Sequence, residues 1–472
     1  MNFSVYRLSI LSLATGLLPA LLVAQANPIA LNRQNPHYFE FHARPAVLIT
    51  SAEHYGALIN TDFDFLTYLD ALHADGLNLT RVFSGAYVEP QGAFHIAENT
   101  LAPPPGRYLC PWKRSNVPGY ANGGNKFDLS QWDPRYFARL RKILSAAAKR
   151  HIVVEFTFFC PFYDESEWTL SPLNPINNIN HLGAISRQEV YSPNQTNVLW
   201  SVEEKMVRKI IKTLKDYDNL IYEICNEPYA GDIPASWQHH LATVISQTEA
   251  QYKIHHLITQ NIANKSAKIN DPDPLVSVFN FHYASPPLTV YENFSLNKVI
   301  GNNETGFNGQ ADSTYRRVAW QFILAGGGLF NNLDYSFAAG HEQGTFQYPP
   351  SQPGGGSAAL RKQLGYLKHF VERFDFTRLH PDSTFIRGPL PDTATLYVLS
   401  EVGHQYAAYI TGGHQMTIHC NLPPGGYQIQ WMNPVTGQYT EKRELKSEGN
   451  CLLTTPVFHQ DLALRIVRNG KR

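Results

Sequence analysis

From about residue 37 to 375 the chain alternates two patterns. One is a short, nearly unbroken apolar run; the other is a longer stretch with one apolar stripe at helical spacing. The short runs read as strands buried on both faces, and the striped stretches as helices that cover them. Strands are predicted over 46–51, 78–84, 152–159, 220–225, 255–259, 276–281, 298–302 and 329–333. Helices are predicted over 62–75, 134–150, 199–217, 235–251, 314–325 and 358–374, with those after strands five and six short or irregular. This alternation predicts an α/β fold, and eight strands predict a (β/α)8 TIM barrel. An irregular insertion over 85–131 and a loop over 160–197 interrupt it; loops this long in a compact domain are often functional. The Pro- and Gly-rich residues 349–356 are expected to form a surface loop before the last barrel helix.

Past residue 380 the pattern shortens. Alternating runs at 395–401, 405–410, 415–420, 427–432 and 462–467 are separated by turn signals such as Gly412-Gly413 and Asn433-Pro434. They predict a small antiparallel β-sandwich. At the other end, Arg7, an apolar stretch over 8–23 and Ala24-Gln25-Ala26 read as a secretory targeting segment. The expected organisation is therefore 1–26 signal peptide, 27–380 barrel and 381–472 β-sandwich.

Composition narrows the function classes. The chain has 472 residues, 39 Lys+Arg against 39 Asp+Glu, so no global field draws it to nucleic acid or an acidic membrane. Charged residues at 17% and hydrophobic ones at 43% are ordinary for a soluble globular protein. No later segment is long and apolar enough to predict a membrane span. Of the five cysteines, Cys420 and Cys451 share the C-terminal unit and could pair; Cys110, Cys160 and Cys225 read as buried thiols. His239-His240 and His255-His256 lack metal-ligand spacing, and no metal is expected.

Barrel enzymes keep their chemistry where strands end. The run Leu220-Ile221-Tyr222-Glu223-Ile224-Cys225 stops at Asn226-Glu227-Pro228-Tyr229, and Pro blocks further strand pairing. The seventh strand ends similarly, at Asn302-Asn303-Glu304. Strands four and seven face each other across a closed barrel, so Glu227 and Glu304 are expected to converge. Two carboxyl groups about 5–5.5 Å apart are what a retaining glycosidase needs, one as nucleophile and one as acid/base. Glu53 and His54, after the first strand, add polar groups at the same mouth. Trp168, in the second long loop, is a candidate to wall a sugar cleft.

Asn226-Glu227-Pro228 after strand four and Glu304 after strand seven resemble clan A of the glycoside hydrolases, near the cellulase-like family five. Gly76-Leu77-Asn78-Leu79-Thr80-Arg81 and His282-Tyr283 are similar to that clan's second and sixth strand ends. The resemblance implies Glu227 as acid/base, Asn226 as a ligand of the sugar 2-hydroxyl, and Glu304 as nucleophile. It implies that Arg81 and Tyr283 support the nucleophile and that no cofactor is needed; the imidazole of His282, a donor at the same mouth, could reach a sugar hydroxyl. The chain departs from the family after strand eight, where Tyr335 stands in place of the usual sugar-floor Trp, and after strand three, where Cys160-Pro161-Phe162-Tyr163 replaces a frequent His.

The expectation is an exported retaining glycoside hydrolase acting on an oligo- or polysaccharide. Its rivals are a transglycosylase on the same scaffold and a non-catalytic glycan-binding barrel. The last predicts carboxylates more than about 10 Å apart, outside both hydrolytic geometries.

Overall fold

The computed structural model describes Met1 and residues 27–193 and 197–470; residues 2–26 of the predicted targeting segment lie outside the described residues. Eight parallel strands form one sheet: β1 (Leu48–Ala52), β2 (Leu79–Phe83), β3 (Val153–Phe159), β4 (Leu220–Cys225), β5 (Leu257–Asn264), β6 (Val278–His282), β7 (Val299–Glu304) and β8 (Leu329–Leu333). Their order is β1-β8-β7-β6-β5-β4-β3-β2. Asn78 closes the ring between β1 and β2. Its amide donates to the Ile49 carbonyl at 3.3 Å, and its side-chain oxygen accepts from the Ile49 amide at 2.9 Å. The predicted TIM barrel is present, with every strand where an apolar run placed it.

Alternate side chains of each strand face inward. Leu48, Leu79, Val153, Ile221, Leu257, Val278, Val299 and Leu329, one per strand, form the lowest layer, with Ile29 and Phe39 packed against it. Two residues further along each strand stand Thr50, Arg81, Glu155, Glu223, Thr259, Asn280, Gly301 and Asn331, all buried. The barrel interior therefore turns polar one step above its floor. Gly301 is required there, because a Cβ would fall 2.1 Å from Asn280 Oδ1. The Asn280 side chain uses that space to donate to Glu155 at 2.8 Å.

The helices outside match their stripes: Phe65–Ala74, Pro134–Ala148, Val198–Leu214, Ala235–Ala250, Asp312–Leu324 and Ala358–Glu372. Asp133 caps the second of them through the Arg135 amide, with Pro134 at the first position. As expected, β5 and β6 are joined without a helix, and only the short Leu288–Asn293 follows β6.

The insertion over 85–131 is less irregular than its sequence indicated. It holds an antiparallel hairpin, Trp112–Pro118 with Asn125–Trp132. Its Lys113-Arg114-Ser115-Asn116 stretch has no apolar alternation to betray a strand, although Asn122-Gly123-Gly124 gave a turn signal. The segment 349–356 is not a free surface loop either. Gly354, Gly355 and Gly356 are buried, and a Cβ at Gly354 would collide with the Gly306 carbonyl after β7.

The C-terminal region is a six-stranded antiparallel sheet with its own core. It runs His380–Pro381, β9 (Thr395–Glu401), β10 (Gln405–Thr411), β13 (Asp461–Arg468), β11 (Thr417–Met432) and β12 (Arg443–Thr454) in spatial order. The long β11 breaks register between Leu422 and Gly425; it pairs with β12 from Thr417 to Ile429 and with β13 from Tyr427 to Met432. A Cys420–Cys451 disulfide ties β11 to β12. The sheet docks on the barrel helix Asp312–Leu324. Asp461 accepts from Arg316 Nε at 2.8 Å and from the Tyr409 hydroxyl at 2.7 Å, while Trp320 stacks on Tyr409 at 5.1 Å. No helix among the described residues is long and apolar enough to cross a membrane.

Candidate active site

The C-terminal strand ends carry the polar groups that the interior leads up to. Among the residues just past barrel strands that adopt positive φ are Tyr55 (61°) after β1, Glu227 (34°) after β4 and Tyr283 (54°) after β6. A non-glycine residue in that region is uncommon and marks a locally strained turn. Each of these turns carries a group of the same cluster at the barrel mouth.

Glu304, at the end of β7, is buried. Its Oε1 accepts from the Tyr283 hydroxyl at 2.5 Å and its Oε2 from the Tyr55 hydroxyl at 2.8 Å and Arg81 Nη1 at 3.4 Å. His282 Nδ1 lies 3.5 Å from Oε1. Burial alone would raise this carboxyl, but His282, Arg81 and the Tyr283 hydroxyl outweigh it and hold Glu304 well below the usual carboxylate range. Glu304 is therefore kept ionised.

Glu227 is half-buried and differently supplied. Its Oε2 accepts from the Tyr163 hydroxyl at 2.7 Å; its Oε1 faces His282 Nδ1 at 2.9 Å and accepts from the Tyr229 hydroxyl at 3.2 Å. One oxygen of Glu227, one of Glu304 and His282 Nδ1 all lie within 4.8 Å of one another. Burial would depress the His282 imidazole, but the carboxylates of Glu304 and Glu227 raise it to about 9. These three strand ends form a donor trio that the histidine pairs of the sequence did not reveal.

Arg81 lies beneath the mouth and is fully buried. Its Nε donates to Glu223 Oε2 at 2.9 Å, and its Nη2 donates to Glu223 and, at 2.7 Å, to Asn226 Oδ1. Orienting Asn226 in this way points its Nδ2 toward the Tyr163 hydroxyl at 2.9 Å. Glu155 is the third member of this buried charge cluster, 4.0 Å from Arg81 Nε, and burial pushes its carboxyl up to about 7.

A cavity of about 210 Å³ opens at this mouth. Of the residues singled out in the sequence, His54, Asn226, Glu227, Tyr283 and Glu304 line it. Arg81 and His282 sit under it and touch the carboxylates rather than the cavity. Tyr335 flanks it, 6.0 Å from the His54 and Phe307 rings, and its hydroxyl has no protein partner. Two candidates are placed elsewhere. Trp168 packs its own loop against Phe162 at 5.0 Å, because the short helix Glu165–Leu170 turns the indole inward. Glu53 is wholly buried and is consumed by the amides of Gly56 and Ala57, both at 2.9 Å, and by the Thr100 hydroxyl at 2.5 Å.

Sequence reasoning passed over Tyr55, Tyr163 and Tyr229, which hold the two carboxylates, and Glu89, Phe94 and Phe307, which line the cavity. Tyr55 and Tyr163 stand in strand-end segments that had been noted, which was the available signal; the insertion residues gave none.

Two carboxyl groups converging at the C-terminal mouth of a TIM barrel are an arrangement that can supply a general acid/base and a nucleophile. No protein-family model and no curated protein sequence matches the chain. Solved structures do. The chain is similar to a glycoside hydrolase with a TM-score of 0.65 at 14% identity, over 94% of this chain and 98% of that one. It is also similar to a glycoside hydrolase family 5 protein from Bacteroides vulgatus ATCC 8482, with a TM-score of 0.62 at 14% identity, over 93% and 94%. The shared feature at this identity is the fold, barrel and C-terminal sheet together.

Proposed function

We propose that the protein is a retaining glycoside hydrolase. The observation that carries this reading is the approach of a Glu227 and a Glu304 oxygen to within 4.8 Å. That fits the roughly 5–5.5 Å carboxyl spacing of double displacement. It lies far inside the gap of more than about 10 Å expected of a non-catalytic barrel. The fold of the structural neighbours supports the same reading.

In this mechanism Glu304 attacks the anomeric carbon. The glycosidic C–O bond breaks, its electron pair goes to the leaving oxygen, and Glu227 supplies the proton. Glu227 then takes a proton from water, which attacks the glycosyl ester and returns Glu304 as carboxylate. His282, Arg81 and Tyr283 keep the nucleophile ionised between turnovers. Asn226, held by Arg81, binds the sugar 2-hydroxyl in this reading. Residues 27–380 form the catalytic unit and 381–472 an accessory unit, in an exported protein; the Cys420–Cys451 disulfide fits an oxidising compartment.

Glu304→Ala tests this reading on an aryl glycoside that the wild type cleaves. Turnover should fall on the order of 10⁴-fold or more, and azide should restore it as a glycosyl azide. Wild-type rates in the variant, or no rescue by azide, would remove Glu304 from the role.

A further inference from the structure

One side of the cavity is a wall lined by the insertion over 85–131, and that wall holds a buried carboxylate. Glu89 lines the cavity at 5% exposure. Its Oε1 accepts from the Tyr87 hydroxyl at 3.2 Å, its Oε2 accepts from Asn99 Nδ2, and His54 Nε2 lies 3.3 Å away. His54 Nδ1, on the same ring, is buried and has no protein partner. The wall is fastened to β1 at close quarters. A Cβ at Gly56 would fall 2.1 Å from the Thr100 carbonyl, and Glu53 binds both Gly56 and Thr100. The apparent sugar ligand Glu53 is thus the bolt that fixes this wall.

Above the cavity, aromatic rings reach across the mouth. Phe94 of the insertion sits 5.4 Å from Tyr163, after β3, and 6.4 Å from Phe307, after β7. On the other side, beside Glu227, lie Tyr229 and the exposed Asn264.

We infer that the cavity is a one-ring pocket for the non-reducing end of a glycan, with Glu89 and His54 gripping its free hydroxyls, so that cleavage is exo. This rests on the hydrolase reading above. The volume of about 210 Å³ is below the roughly 300–1,000 Å³ of sites that enclose drug-sized ligands, and suits one pyranose. The selectivity follows from hydrogen-bond chemistry. A buried carboxylate only accepts, so it needs donors. A terminal sugar offers free hydroxyls there; an internal one has its linkage oxygen substituted, which cannot donate and continues into the wall. Such a substrate leaves the buried Nδ1 of His54 without a partner and is rejected for that reason.

The test begins with a panel of 4-nitrophenyl monoglycosides on wild-type protein, which identifies the sugar released. A six-unit oligosaccharide of that sugar, labelled at its reducing end, is then digested. The inference expects the labelled five-unit product alone at early times, and a loss of about 100-fold in kcat/KM for Glu89→Gln on the aryl glycoside with an unchanged unfolding midpoint. Labelled products of mixed length from the start would overturn exo action while leaving the hydrolase reading intact. An unchanged kcat/KM in Glu89→Gln would overturn the assigned grip. No turnover of any glycoside by wild type, or turnover unaffected by Glu304→Ala, would overturn the hydrolase reading and this inference with it.

Discussion

The floor and the upper layers of this barrel share one set of strands and are built from opposite chemistry. The floor takes one aliphatic side chain from each strand, with Ile29 and Phe39 sealing it from below. Two residues higher the same strands present Arg81, Glu155, Glu223 and Asn280, joined by ion pairs and amide hydrogen bonds. Apolar burial stabilises the fold without specifying any site. A buried ion-pair cluster adds little net stability, because desolvation opposes its attraction, but it fixes orientation. Here what it orients is Asn226 and Glu304 directly above it. The floor holds the barrel together and the polar layer aims the site.

Breaking the polar layer should have the largest effect. Arg81→Met strands Glu223 and Glu155 without their cation, at about 3–5 kcal/mol of stability. It also withdraws a donor from Glu304 and from Asn226, so kcat/KM should fall on the order of 10³-fold in the molecules that still fold. Denaturant titration and kinetics on the refolded fraction measure the two effects. Ile221→Ala, in the floor, is the matched control. It should cost about 2–5 kcal/mol, while kcat per folded molecule stays at the wild-type value. A large kcat change there would dissolve the distinction between the layers.

Tyr283→Phe sharpens the comparison at the mouth. Losing one hydrogen bond to an ionised carboxylate should lower kcat/KM by about 10–100-fold. It also removes one of the groups that depress Glu304, so the acid limb of the pH profile should move to higher pH. The smallest effect is expected in stability against pH. Folded His282 is raised from its ordinary 6.5 to about 9. The stability it contributes is therefore fully present below pH 6.5 and lost as pH rises through about 9. The wild-type unfolding midpoint should drop by about 2–4 °C more than that of His282→Gln over this window. Equal drops would show that the imidazole carries no such linkage.

The floor and the strand-end glutamates were legible in the sequence for a physical reason. Strands buried on both faces read as apolar runs, and Pro228 marks where the fourth run must stop. The polar layer was not, because Glu155 and Glu223 sit singly inside apolar runs and gain meaning only when closure brings them to Arg81. Tyrosines 55, 163 and 229 were hidden among 25 in the chain, since a tyrosine does not announce which way its hydroxyl points. The reverse error befell Trp168 and Glu53. Their residue types suit sugar binding, but a six-residue helix turned one inward and two loop amides consumed the other.

The spacing of the two carboxylates is tested most directly by following the first-formed sugar anomer by proton NMR during hydrolysis of an aryl glycoside. Carboxylate oxygens within 4.8 Å predict that the product appears with the anomeric configuration of the substrate and only later mutarotates. Initial release of the opposite anomer would contradict the double displacement and, with it, the assignment of Glu304 as nucleophile.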